Sequence, residues 1–182
     1  MKTQQSAMKP QDVVLLLKII SMENDNWNQQ QTASELSMSQ SEVSESVARS
    51  KYAGLLDPKG KKVMRLALLD FLEKGVCYAF PQKPGPIVRG VPTAHSASPL
   101  NKIIQSTEQY VWPYGKGTVR GQSIMPLYLS VPEAVIKDAK LHELLALVDA
   151  LRVGRAREKE IAIKELTNRI LGGKVDEINS NF

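Results

Sequence analysis

Two capping-box patterns seven residues apart, a lysine-bearing turn directly after them, and eight of ten prolines gathered in residues 80–132 predict a mainly α fold. The expected order is an N-terminal winged helix-turn-helix over residues 1–79, a proline-rich but ordered loop and hairpin segment over 80–132, and a helical pair in a C-terminal region over 133–182. Helices are expected at about 11–21, 33–37, 40–53, 64–75, 141–153 and 155–171, with a two-stranded wing and one further hairpin.

The first helix is predicted by Pro10 followed by Val13, Val14, Leu16, Leu17, Ile19 and Ile20, a wide apolar stripe suited to burial. Thr32 with Glu35, and Ser39 with Glu42, each fit the pattern in which a hydroxyl caps the amide three residues ahead and the carboxylate reaches back. Together they predict a short helix, a tight turn and a second helix. Val43 and Val47 give that second helix an inward face, and Gly54 lies just past its end. Its opposite face is read as Gln40, Ser41, Ser44, Glu45, Ala48 and Arg49, side chains able to reach base edges in a major groove. Glu45 would have to accept from a cytosine amino group there or else repel phosphates. The turn from Asp57 to Met64 carries Lys59, Lys61 and Lys62 and is read as a basic wing whose lysines meet phosphates.

The middle segment contains Tyr78, Phe80, Tyr110, Trp112, Tyr114 and Tyr128 at or near its span, which argues for order rather than a linker. A hairpin turning at Gly115 to Gly117 and a short helix near 100–109 are expected. In the C-terminal region Leu141, Leu144, Leu145, Val148 and Leu151 form one stripe and Ile163, Leu166 and Ile170 a second. Part of that surface is expected to build a two-fold homodimer burying more than about 1,000 Å². Asp149 and Arg152 are spaced to pair along a helix.

Composition narrows the class. Hydrophobic residues make up 42 % of 182, and the net charge is +5. Residues 77–132 hold 5 basic side chains against 1 acidic, so the basic surplus sits mainly in the middle and does not by itself argue for nucleic acid. No run approaches a membrane span, the N-terminal stretch lacks the apolar core of a secretory signal, and a single cysteine, Cys77, suits a reducing, cytoplasmic setting. His95, His142 and Cys77 lie apart without metal-ligand spacing, and Ser96 beside His95 has no evident orienting acid. No catalytic group, metal or cofactor is therefore expected, and the chain is read as a non-enzyme.

The stretches Thr32-Ala33-Ser34-Glu35-Leu36 and Ser39-Gln40-Ser41-Glu42-Val43-Ser44, closed by Ala53-Gly54-Leu55-Leu56, resemble the DNA-binding core of MarR-like winged-helix regulators. Phe71 to Pro81, Arg89 to Ala94 and Leu144 to Arg152 are similar to a family of bacterial winged-helix proteins of unassigned role. The resemblance implies a double-stranded DNA-binding transcriptional regulator, a repressor by type. It implies no effector, because MarR-like proteins continue after the wing into long dimerising helices and this chain continues into proline-rich sequence. A second reading makes the chain an antitoxin-like or adaptor module that binds a protein partner through its C-terminal helices.

Overall fold

Pro10 opens the first helix, α1 (Pro10–Met22), where a missing amide costs nothing. Asp12 accepts the Lys9 amide at 2.8 Å, and Val13 to Leu17 are at most 1 % exposed. In the computed structural model, which describes residues 7–172, α1 is the buried axis of the molecule. It packs against α3 (Gln40–Tyr52) on one side and α7 (Ala139–Val153) on the other. Between α1 and α3 lies α2 (Gln29–Leu36).

The predicted second helix starts one turn early. Asn28, not Thr32, caps α2 by accepting from the Gln31 amide at 2.8 Å. Thr32 is buried inside the helix, and its hydroxyl has no partner. Glu35 turns to Lys18 on α1, at 2.7 Å. Ser39 does cap α3, accepting from the Glu42 amide at 3.1 Å. The reciprocal half of that box is absent, because the Glu42 carboxylate binds Gln11 and Arg49 instead.

The expected fold class is corrected by the region beyond α3. No two-stranded wing follows it: the turn between α3 and α4 (Arg65–Lys74) carries a single bridge, Leu56 to Val63. The strands lie in the proline-rich stretch, and they make the molecule mixed α/β rather than mainly α with a winged helix-turn-helix order. After the short α5 (Val76–Ala79) come β1 (Ile87–Pro92), β2 (Tyr110–Pro113) and β3 (Val119–Ser123). β1 runs antiparallel to both others, meeting β3 through Ile87 to Gly90 and β2 through Gly90 to Pro92. β2 and β3 are parallel, so the three strands close on one another and the hairpin expected around Gly115 does not form. The loop from β2 crosses β1 instead. A Cβ on Gly117 would sit 2.3 Å from the Gly90 carbonyl oxygen, and one on Gly90 1.9 Å from that of Trp112. Only glycine permits backbones this close. The short helix expected near residue 100 reduces to a 3-10 turn, Leu100–Lys102.

The chain then passes through α6 (Val131–Ala134) into α7 and α8 (Ala156–Leu171), which ends at Gly172 with φ of 64°. One hydrophobic core runs from α1 through Trp112, Leu127 and Val131 to α7 and α8, so all three sequence regions contribute to it. Asp149 pins the sheet to α7. Its fully buried carboxylate accepts from Thr93 Oγ1 at 2.8 Å, Trp112 Nε1 at 2.6 Å and Arg152 at 2.7 Å. Arg152 also donates to the carbonyls of Phe80 and Met125. Burial pushes the Asp149 carboxyl up against the opposing pull of Arg152 and the two neutral donors. The apolar stripe of α7 is consumed by this core: Leu141, Leu144, Leu145, Val148 and Leu151 are all buried, as are Leu166 and Ile170 of α8. Ile163, the remaining member of the second stripe, is half-buried and packs against the same core. Among the described residues no helix is long and apolar enough to cross a membrane.

Candidate nucleic-acid interface

α3 divides cleanly into two faces. Val43, Ser46, Val47 and Ser50 are buried against α1 and the start of the following loop, while Gln40, Ser41, Ser44, Glu45 and Ala48 are exposed. Ser39 and Ser41 hydroxyls meet at 3.0 Å at the helix start. Lys51 and Tyr52 extend the exposed face toward the C-terminal end, with Tyr52 79 % exposed. Short side chains at the N-terminal half leave the backbone approachable, and their amide and hydroxyls are unencumbered by other elements.

Arg49, expected to read a base, is 7 % exposed and faces inward. Its Nε and Nη2 grip the fully buried Asp12 carboxylate at 2.8–3.1 Å. Ser46 Oγ donates to the same carboxylate at 2.6 Å. Glu42 accepts from Arg49 at 3.1 Å, and Glu45 lies 3.5 Å from the guanidinium. The bond to Asp12 outweighs burial and raises the Arg49 pKa; the Gln11 and Arg49 bonds outweigh burial and hold the Glu42 carboxyl below its ordinary value. A remote partner explains the misplacement: Arg49 lies about 140° from the midline of Val43 and Val47, where an open face is expected, and Asp12 draws its guanidinium inward. Turning about 100° per residue, Arg49 falls about 140° from Ser44 and only about 20° from Glu42. Lys51, which the sequence reading passed over, falls about 20° from Ser44 and belongs to the open face.

The basic turn stands beside α3. Gly60, with φ of 70°, lies against it: a Cβ there would be 3.4 Å from Val47 and 3.5 Å from the Lys51 side chain. Asp57 shapes the turn by accepting the Lys61 and Lys62 amides at 2.6 and 2.8 Å, which holds its carboxyl below the usual range. A reciprocal clip fixes the turn to the α1–α2 loop. Trp27 Nε1 donates to the Lys61 carbonyl at 2.9 Å, and Lys61 Nζ donates to the Trp27 carbonyl at 3.0 Å and lies 5.3 Å from the indole centre. Lys61 is therefore partly engaged. Lys62 pairs with Asp25 at 3.3 Å, but both are about two-thirds exposed, and such pairs exchange readily. Lys59 and Lys51 make no ion pair among the described residues. The structure thus groups Gln40, Ser41, Ser44 and Glu45 with Lys51 and the 59–62 turn, and removes Arg49 from the group.

The remaining candidates are structural in their contacts. His95 is 5 % exposed, with Nε2 2.8 Å from the Glu108 carbonyl; His142 Nε2 lies 2.8 Å from that of Pro92. Cys77 is a half-buried free thiol. Of the C-terminal arginines, Arg152 and Arg169 are engaged internally, while Arg155 and Arg157 are exposed.

No family model, curated protein or solved structure matches this chain.

Proposed function

We propose that this chain binds double-stranded DNA sequence-specifically through α3 and acts as a transcriptional regulator. The observation that carries the reading is the open face of α3, where Gln40, Ser41 and Ser44 stand exposed beside a turn rich in lysine. Gln pairs with adenine edges and Ser with several bases, so this face has the donors and acceptors that discriminate sequence. Lys51, Lys59 and Lys62 supply cations at its flank, where phosphates lie when a helix enters a major groove. Glu45 stands on the same face and disfavours any docking that sets it against a phosphate, which restricts the approach to one in which it meets a base amino group.

The test is selection of a duplex from a random pool, followed by salt titration of binding to that duplex and to a scrambled one. Gln40→Ala and Ser44→Ala are expected to cost about 1–3 kcal/mol on the selected duplex and little on the scrambled one. Lys51→Ala with Lys59→Ala should weaken both duplexes alike and flatten the salt dependence by nearly one log unit per lost contact. Failure to enrich any duplex, or indifference of all four positions, refutes the proposal.

A further inference from the structure

A cleft of about 720 Å³ opens between the C-terminal end of α2, the turn after β2 and the segment joining α6 to α7. Its volume is in the range of small-molecule sites. Three cations, Lys18, Lys116 and Lys137, and three carboxylates, Glu35, Glu133 and Asp138, line it. A site for a simple anion or a simple cation would not set equal numbers of both signs around one opening. Lys18 is the informative group. Its ammonium is almost wholly buried and bonds Glu35 and Asp138, each at 2.7 Å. An ammonium has three donors, so one proton of Lys18 is left without an acceptor among the described residues. Glu35 and Asp138 keep unused lone pairs after accepting one further bond each, from Gln31 and the Leu141 amide. One wall is apolar, with Ile136 60 % exposed.

We propose that this cleft binds a small zwitterion, an amino acid or dipeptide with an apolar side chain. Its carboxylate meets the free proton of Lys18 and the rim lysines, its ammonium meets Glu35, Asp138 and Glu133, and its side chain lies on Ile136. The cleft also touches the α2–α3 turn. Ser34 and Ser37 line it, and Ser130, just before α6, donates to the Leu36 carbonyl at 2.6 Å. Occupancy therefore changes the placement of α2 against α3 and, on the reading that α3 binds DNA, changes DNA affinity.

Calorimetric titration of the full chain with the dipeptide Leu-Leu tests the site without DNA. Saturable binding is expected, weakened at least about tenfold for the dipeptide blocked at both ends, and by about tenfold for Leu-Leu itself in the Lys116→Ala/Lys137→Ala variant. Lys18 also holds α1 to α7, so the exposed rim lysines are substituted in its place, and an unchanged melting temperature verifies the variant's fold. No heat up to about 10 mM, equal binding of the blocked dipeptide, or equal binding by the variant overturns the site. In a second arm, saturating Leu-Leu is expected to shift affinity for the selected duplex by about fivefold or more in the wild type and not in the variant. A dipeptide that binds without that shift overturns the coupling. If no duplex binds at all, the DNA reading has failed and the calorimetry alone decides the cleft.

Discussion

Arg49→Ala separates a structural arginine from a base-reading one. The substitution removes both forked bonds to Asp12, a carboxylate with no solvent exposure. Removing one partner of a buried pair costs about 3–5 kcal/mol, because the other charge stays behind uncompensated. The lower end applies here. Asp12 retains the Ser46 hydroxyl and the Lys9 amide, and it sits in the first turn of α1 where the helix dipole favours a negative charge. A loss of about 3 kcal/mol is still a large share of the roughly 5–15 kcal/mol that holds a domain folded. Arg49→Lys should recover only part of it, since an ammonium cannot reproduce the two-pronged contact. Urea denaturation monitored by far-ultraviolet circular dichroism reads the effect. The double replacement Asp12→Leu/Arg49→Leu should be milder than the sum of its single variants, the sign of a coupled pair. A single-variant loss below about 1 kcal/mol, the range of exposed ion pairs, would refute the argument. So would loss of DNA discrimination in an Arg49→Ala protein that melts like the wild type.

Trp112→Phe removes one of three donors to the buried Asp149 carboxylate and should cost about 1–3 kcal/mol, against under about 0.5 kcal/mol for Asp70→Ala, which breaks the exposed pair with Lys74; urea midpoints compare the two. Gly90→Ala forces a Cβ into the Trp112 carbonyl and should destabilise by about 3 kcal/mol, visible as a lowered melting temperature. In acid, Glu42 and Glu143 are two of the carboxylates that contribute to stability. The Gln11 and Arg49 bonds lower Glu42, and at Glu143 the Ser98 and Arg169 bonds outweigh a burial that acts in the opposite direction. Their contribution is present above the ordinary value of 4.5 and is lost as pH falls through the lowered folded values. Urea midpoints between pH 7 and 3 should therefore fall less steeply in Glu42→Gln/Glu143→Gln than in the wild type, and parallel curves would count against the assignment.

Local signals carried α1, α3, α7 and α8 to within a few residues, since each has a cap or an apolar stripe whose meaning does not depend on distant sequence. Ser39 with Val43 and Val47 fixes α3 from a window of nine residues. The failures arise where the deciding partner is remote. Thr32 and Glu35 spell a helix start, but Asn28 upstream takes the cap and Lys18 takes the carboxylate. Arg49 reads as a free cation until Asp12, 37 residues away, is set against it. The hairpin expected around Gly115 places the arms that become β2 and β3, but β1 and the pairing of the three strands are hidden for a different reason. β1 ends on Pro92, and β2 on Pro113, which read as breakers; each is tolerated because a proline at a strand end gives up a ladder bond that the next element does not need.

The same distinction bears on the proposed interface. Three charged side chains near α3 with little freedom face partners distant in sequence: Arg49 to Asp12, Glu35 to Lys18, Lys61 to Trp27. Those side chains fix where α3 and its neighbouring turn sit, and substitutions there should change folding and DNA binding together. Gln40, Ser44, Lys51 and Lys59 are exposed, and none serves the core. Surface substitutions of this kind usually leave stability within about 0.5 kcal/mol. A change in binding at those four positions with an unchanged urea midpoint is therefore attributable to contact with DNA, whereas the same change at Arg49 or Lys61 is not.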